Sequence, residues 1–261
     1  MWVPFFRPEL APGARLDRAR CISAGPSTLS LLWDGGYSQT AAPSLSECGF
    51  AKETAGPSRF AGWNPVAYDR AVSEPRAIAT AVEEVVPGVW HWRVDDERID
   101  FISAAHAVQT DEGTVLIDPL PLAPEALERL GNVAAICISA GVHQRSAWRY
   151  RRELGAKVYA PALSKEIDEE PDERYSNGDR LPGGLLAVFT PGAGTTQHTF
   201  LLERGLGVAF VPDLLARTPD GPLLFVPAEF MHDPEEARRS VEKLLDPPFS
   251  VLCLSHGGPA A

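Results

Sequence analysis

The chain has 261 residues, of which 44% are hydrophobic and 23% charged, with 24 Pro and 22 Gly. That is enough for one sizeable core plus a tail or small second unit, and with no repeat it excludes collagenous, coiled-coil and wholly disordered classes. No apolar run approaches the roughly 20 residues of a bilayer-spanning helix, and a net charge of −11 argues against nucleic acid or an anionic membrane as a partner.

The opening residues Met1 to Pro8 show neither a basic stretch nor an apolar one, so a cytoplasmic protein is expected. Of four cysteines, Cys21 and Cys48 lie in an irregular stretch, while Cys137 and Cys253 sit inside apolar runs and read as small buried hydrophobes in a reducing compartment. Their spacing makes neither a metal pattern nor a disulfide framework.

Residues 1–78 carry 8 basic and 7 acidic side chains and are rich in Gly, Pro, Ser and Ala, with no sustained period of 2 or 3.6. Such a segment cannot bury enough apolar surface to offset its ordering entropy. The expectation is an irregular, poorly ordered extension over 1–78, with Trp2, Trp33 and Trp63 docking locally; a start placed too far upstream would look the same. A folded domain is expected over 79–261.

From Ala79 the pattern changes. Val85 to Val94 reads as a strand, Asp95 to Arg98 as a turn, Ile99 to Val108 as a second strand and Thr114 to Pro119 as a third. Pro124 to Leu130 is a short helix stopped by Gly131, Val133 to Ile138 a strand buried on both faces, Ser146 to Leu154 a helix ending at Gly155, and Lys157 to Ala160 another strand. Leu185 to Phe189, Thr199 to Glu203 and Val208 to Val211 follow as strands. Asp233 caps a helix with Pro234 at its first position and Ala237, Val241, Leu244 and Leu245 on one face; Ser250 to Ser255 closes as a strand. Many strands with helices interposed in both halves predict two sheets packed face to face with helices outside.

Five strand-end motifs stand in order: Leu116-Ile117-Asp118-Pro119, the loop Ser139 to Arg145, Thr190-Pro191-Gly192, Pro212-Asp213 and Ser255-His256-Gly257-Gly258. Their order and spacing resemble the metallo-β-lactamase superfamily over about Val82 to Pro259. The resemblance implies an α/β, four-layer αββα sandwich and mostly hydrolytic relatives. In those relatives the loop reads Thr-His-x-His-x-Asp-His and supplies most ligands of a zinc pair. Here Ala140 and Val142 stand at the first two histidine positions, Gln144 at the aspartate and Arg145 at the last histidine; Ala193 replaces the histidine after Thr-Pro-Gly. Only Asp213 and His256 match ligand positions.

A catalytic zinc site takes about three protein ligands and an open position. Ala140, Val142 and Ala193 offer no donor and Arg145 brings a fixed positive charge, so a two-zinc centre is not expected. The leading reading is a relative that has lost most metal ligands and serves as a non-catalytic binding or regulatory protein, with no cofactor and a pocket lined by Ala140, Val142, Gln144, Arg145, Ala193, Asp213 and His256. The alternative is a hydrolase of an ester, lactone or thioester using one divalent ion (zinc, iron or manganese) on Asp213, His256 and His143, with Asp213 as ligand and base. A third reading is a scaffold for a protein partner. The ligand, whether a small molecule or a protein, is left open.

His143 falls on a spacer position and is expected as an exposed loop histidine. Because a buried carboxylate without a cation is costly, an Arg145–Asp213 ion pair is expected in the metal's place. Arg145, Arg149 and Arg152 share one helix face, read as solvated, and the acidic stretch Glu166 to Glu173 reads as a surface loop. His91, His106 and His198 read as structural and His232 as exposed.

Overall fold

Two-residue alternation of apolar side chains dominates the core strands, and it assigns each strand to a layer. The computed structural model describes residues 74–218 and 221–259, and the backbone alone of 20–23 and 29–32. In chain order the elements are β1 (Arg20–Ser23), β2 (Leu29–Leu32), β3 (Glu83–Val86), β4 (Val89–Asp96), β5 (Phe101–Thr110), β6 (Gly113–Ile117), α1 (Pro124–Glu128) and β7 (Val133–Cys137). There follow α2 (Ala147–Leu154), β8 (Lys157–Pro161), β9 (Glu173–Tyr175), β10 (Arg180–Leu181), β11 (Leu185–Phe189) and β12 (His198–Leu202). The chain closes with β13 (Val208–Val211), β14 (Leu215–Ala216), β15 (Leu224–Phe225), α3 (Pro234–Lys243) and β16 (Val251–Leu254).

A seven-stranded sheet runs β3-β4-β5-β6-β7-β8-β9, antiparallel as far as β6 and parallel beyond it. A five-stranded sheet runs β10-β11-β12-β13-β16, antiparallel except for the parallel pair β13–β16. Three stacked cores show the layering. Leu116, Ile136, Ile138 and Val158 pack against Ala126, Trp148 and Tyr150 of α1 and α2. Val115, Ile117 and Cys137, one residue out of phase, face Phe200, Phe210 and Cys253 between the sheets. Leu201, Ala209, Val211 and Leu252 on the far face pack against Ala237 and Val241 of α3. The expected αββα sandwich is therefore present. Burying each such large apolar side chain contributes roughly 1.5–3 kcal/mol.

Most expected elements appear within a residue or two. The expected strand Val85 to Val94 is split, because Pro87-Gly88 forms a turn with Gly88 at φ +77°. Strands of two or three residues (β9, β10, β14, β15) were not foreseen, since so short a run carries no period. Gly155 closes α2 in the left-handed conformation and its N–H returns to Arg151 O, and Asp233 caps α3 by accepting from the amides of Glu235 and Glu236.

Within the expected irregular extension, β1 and β2 form an antiparallel pair. Trp2, Trp33, Trp63 and Cys48 lie outside the described residues, as does the Cys21 side chain. Glu74 bonds to Arg149 and the Arg76 amide to Glu97, so residues 74–79 are tied to the domain. Cys137 and Cys253 are buried free thiols.

Thr190-Pro191-Gly192 owes its glycine to α3. Gly192 has φ +134°, and a Cβ there would lie 2.3 Å from the Ala237 backbone, which cannot yield without moving the helix. Gly192→Ala should cost about 3 kcal/mol or more. Urea unfolding checks this, and a midpoint within about 0.2 M of wild type would contradict the packing described.

Candidate metal centre

The site forms where each sheet changes to parallel pairing. Carboxyl ends of such strands open a crevice into which loops deliver side chains. Asp118 follows β6, the Ser139 to Arg145 loop follows β7, Asp213 follows β13 and His256 follows β16. Asp118 is buried with φ +45°, and its carboxylate accepts from the Ser139 amide at 2.7 Å, from the Ser139 hydroxyl and from His143 Nδ1 at 3.0 Å.

His143 corrects the sequence reading. It was expected to be exposed, and it is 1% exposed. A single 3-10 turn over Gly141–His143 swings its ring inward, Nδ1 to Asp118 and Nε2 to Asp213 at 3.0 Å. His256 Nε2 meets the same carboxylate at 2.9 Å, while its Nδ1 lies 3.1 Å from Ile102 O. Gly257, φ +92°, makes this turn possible: a Cβ there would collide with the Arg217 carbonyl, and the Arg217 amide donates to His256 O.

The expected Arg145–Asp213 ion pair is absent. Arg145 precedes α2 and is buried, and its Nη1 donates to Ala104 O at 2.8 Å and Asp118 O at 3.1 Å. The reasoning that Asp213 needs a positive or proton-bearing neighbour holds, but the two histidines supply it. Burial would raise the Asp213 carboxyl, yet His143 and His256 hold it well below the usual carboxylate range. Burial and the Arg145 charge press the His143 imidazole down, and Asp213 and Asp118 outweigh them, holding it up at about 9.

The other pocket positions divide. Gln144 turns away: its Oε1 accepts from Trp148 Nε1 and the Asp168 amide, and its Nε2 donates to Glu166 O. Ala140 is buried and Val142 half-buried. Ala193 packs with the α3 core, and its carbonyl takes the His232 amide. The acidic loop is exposed as expected, but it also clamps α2 through Arg151–Asp172 and Arg152–Glu169. Arg149 pairs with Glu74 and Glu153, so no free arginine strip remains. His91 and His106 are buried and pushed toward the neutral form by burial, as structural histidines are.

His143, Asp213 and His256 each present one donor atom, all within 4.8 Å of one another. The donor set fits one divalent ion on its hydrogen-bonding alone. Asp118 and the Ile102 carbonyl can only accept, so Nδ1 of each ring carries a proton; without an ion each Nε2 donates to Asp213, and on metal binding it would give up that proton and offer its lone pair to the ion. Metal-bound histidines are held by such outer partners. Asp213 is the solvent-facing member, its side chain 21% exposed.

Comparison with known proteins agrees with the architecture. The family profile described as the metallo-beta-lactamase superfamily matches residues 85–248, and the chain belongs to that superfamily. Among solved structures, the FIM-1 metallo-beta-lactamase of Pseudomonas aeruginosa in its mono-zinc form shares 14% identity at a TM-score of 0.53, covering 72% of this chain and 92% of that one. A metallo-beta-lactamase from Pontibacter korlensis shares 18% at 0.52, covering 69% and 92%. A metallo-beta-lactamase family protein from Thermus thermophilus shares 17% at 0.51, covering 68% and 76%. No curated protein matches the sequence.

Beside the triad, Asp96 is 1% exposed. It accepts from Arg98 at 2.6 and 2.8 Å and from the Ser103 hydroxyl at 2.8 Å. Burial would raise its carboxyl, but these bonds and the Arg98 charge lower it to about 2. The folded value lies below the unfolded value near 4, so its stabilisation is full above pH about 4 and lost as pH falls toward 2, amounting to about 2 kcal/mol. Asp96→Asn should therefore destabilise the chain at neutral pH and much less near pH ~2.5. Equal losses at both pH values, read by chemical denaturation, would contradict the assignment.

Proposed function

We propose that this chain binds one divalent ion (zinc, iron or manganese) on His143, Asp213 and His256 and hydrolyses an ester, lactone or thioester, without the paired-ion centre of its superfamily. The observation that carries this is the convergence of two tautomer-fixed Nε2 atoms and one carboxylate at a solvent-facing edge. A bound ion would lower the pKa of its water toward about 7 and polarise the acyl carbonyl. Asp118 holds His143 in register, and Ile102 O does the same for His256. Asp213, facing solvent, is placed to take the proton of the attacking water. Ala140, Val142 and Ala193 carry no donor for a second ion, and Gln144 and Arg145 are bonded elsewhere.

Residues 79–261 are taken as the functional unit, and a cytoplasmic setting suits the two buried free thiols. A metal-free binding relative is the second reading. It is favoured by the direct contacts of both Nε2 atoms with Asp213, which let protons occupy the ion's place.

Metal analysis of the purified chain separates the two. The expected result is close to one ion per chain, reduced by His143→Ala, which takes away one of three ligands. A folded, metal-free chain that fails to take up added zinc, iron or manganese would sink the single-ion reading and leave the binding-protein reading standing.

A further inference from the structure

The single-ion reading leaves Arg145 without a role, and Arg145 is built at evident energetic cost. Its full charge is 3% exposed, its Nε is buried without a partner, and both partners of Nη1 are main-chain carbonyls rather than carboxylates. Its φ is +38°, in the left-handed region, and so is that of Asp118 at +45°. Such strain costs about 1–3 kcal/mol per residue and persists where the surroundings over-determine it. One hydrogen bond therefore joins two strained, non-glycine residues.

What that nitrogen touches gives the strain a use. Asp118 O belongs to the residue whose carboxylate fixes the His143 tautomer. Ala104 O belongs to the residue whose amide donates to Ser255 O at 2.7 Å, next to His256. The guanidinium thus spans the supports of both imidazoles, one from each sheet. Both bonds leave one nitrogen, Nη1; a lysine ammonium keeps the charge but lacks the rigid plane that fixes where that nitrogen sits.

We propose that Arg145 is a positioning residue for the triad: by bridging Ala104 O and Asp118 O it sets the convergence of the two histidines on Asp213 without touching the ion. This rests on the single-ion reading for its affinity measurements but not for its spectroscopic one. Zinc titration of the full chain should show Arg145→Lys and Arg145→Gly each weakened roughly 10–100-fold, the loss typical of outer-shell partners. The two variants part in stability, because glycine relieves the strained backbone while lysine keeps it. A cation that merely stabilised the fold would give affinity losses that follow stability.

Asp118→Asn provides the second check. Arg145 reaches His143 through Asp118 and His256 through Ala104, so Arg145→Lys combined with Asp118→Asn should weaken zinc by less than the product of the two single losses. Losses that multiply in full overturn the proposal. Nitrogen-15 spectra of the histidines in the metal-free chain supply the independent measurement. A His143 Nδ1–H resonance displaced in both Arg145 variants supports it, and one left at its wild-type position overturns it. Should wild type take up no zinc, the single-ion reading fails and the histidine spectra decide this inference alone.

Discussion

One imidazole between two carboxylates holds the functional end of this molecule together. Asp118 belongs to the seven-stranded sheet and Asp213 to the five-stranded one, and His143 bridges them with hydrogen bonds of about 3 Å on either side. Between the sheets the core is mainly apolar side chains, which set spacing but not orientation. The Asp118–His143–Asp213 chain adds direction, because each bond demands a particular nitrogen and a particular oxygen. Buried networks of this kind are stabilising only when every member is satisfied. Ser139, with amide and hydroxyl both on Asp118, fills that requirement on one side; His256 fills it on the other.

This constraint explains why the Ser139 to Arg145 loop folds as it does. The family pattern would turn positions 140, 142, 144 and 145 toward the metal. Here the loop forms a 3-10 turn over Gly141–His143 that brings in position 143. Gln144 and Arg145 then serve scaffolding: one ties down the Glu166–Asp168 segment, the other bridges β5 and the end of β6. The inward turn of His143 is thus accompanied by scaffolding contacts of its neighbours Gln144 and Arg145.

The same coupling marks what could be read from sequence. The strands of both central sheets were legible because Val115/Leu116/Ile117 and Phe200/Leu201/Leu202 alternate between packed faces, and α3 because Asp233 and Pro234 announce its start. Asp213 and His256 were legible from the strand-end motifs. His143 was not, since its partners lie 25 and 70 residues away in sequence and no local spacing encodes that meeting. A signal was nevertheless present. Asp118, immediately after an apolar strand, had to be a buried carboxylate in need of a donor, and His143 is the imidazole of the loop that follows the adjacent strand. Charge reasoning identified the need for a partner at Asp213 and chose the wrong one. The Arg145 guanidinium is instead committed to Ala104 O in β5 and to Asp118 O.

The buried positive charge of Arg145 has a further consequence under the proposed single-ion reading. With an ion on the triad and both imidazoles neutral, the divalent ion and Arg145 together outweigh the two carboxylates Asp118 and Asp213 by one positive charge. The net excess favours an anion over a neutral molecule near the exposed face of Asp213, since such charges act strongly where water is sparse. The hydroxide or tetrahedral oxyanion of an acyl-transfer reaction is such a species. Under the proposed single-ion reading, such a field would suit hydrolysis better than the capture of a neutral ligand.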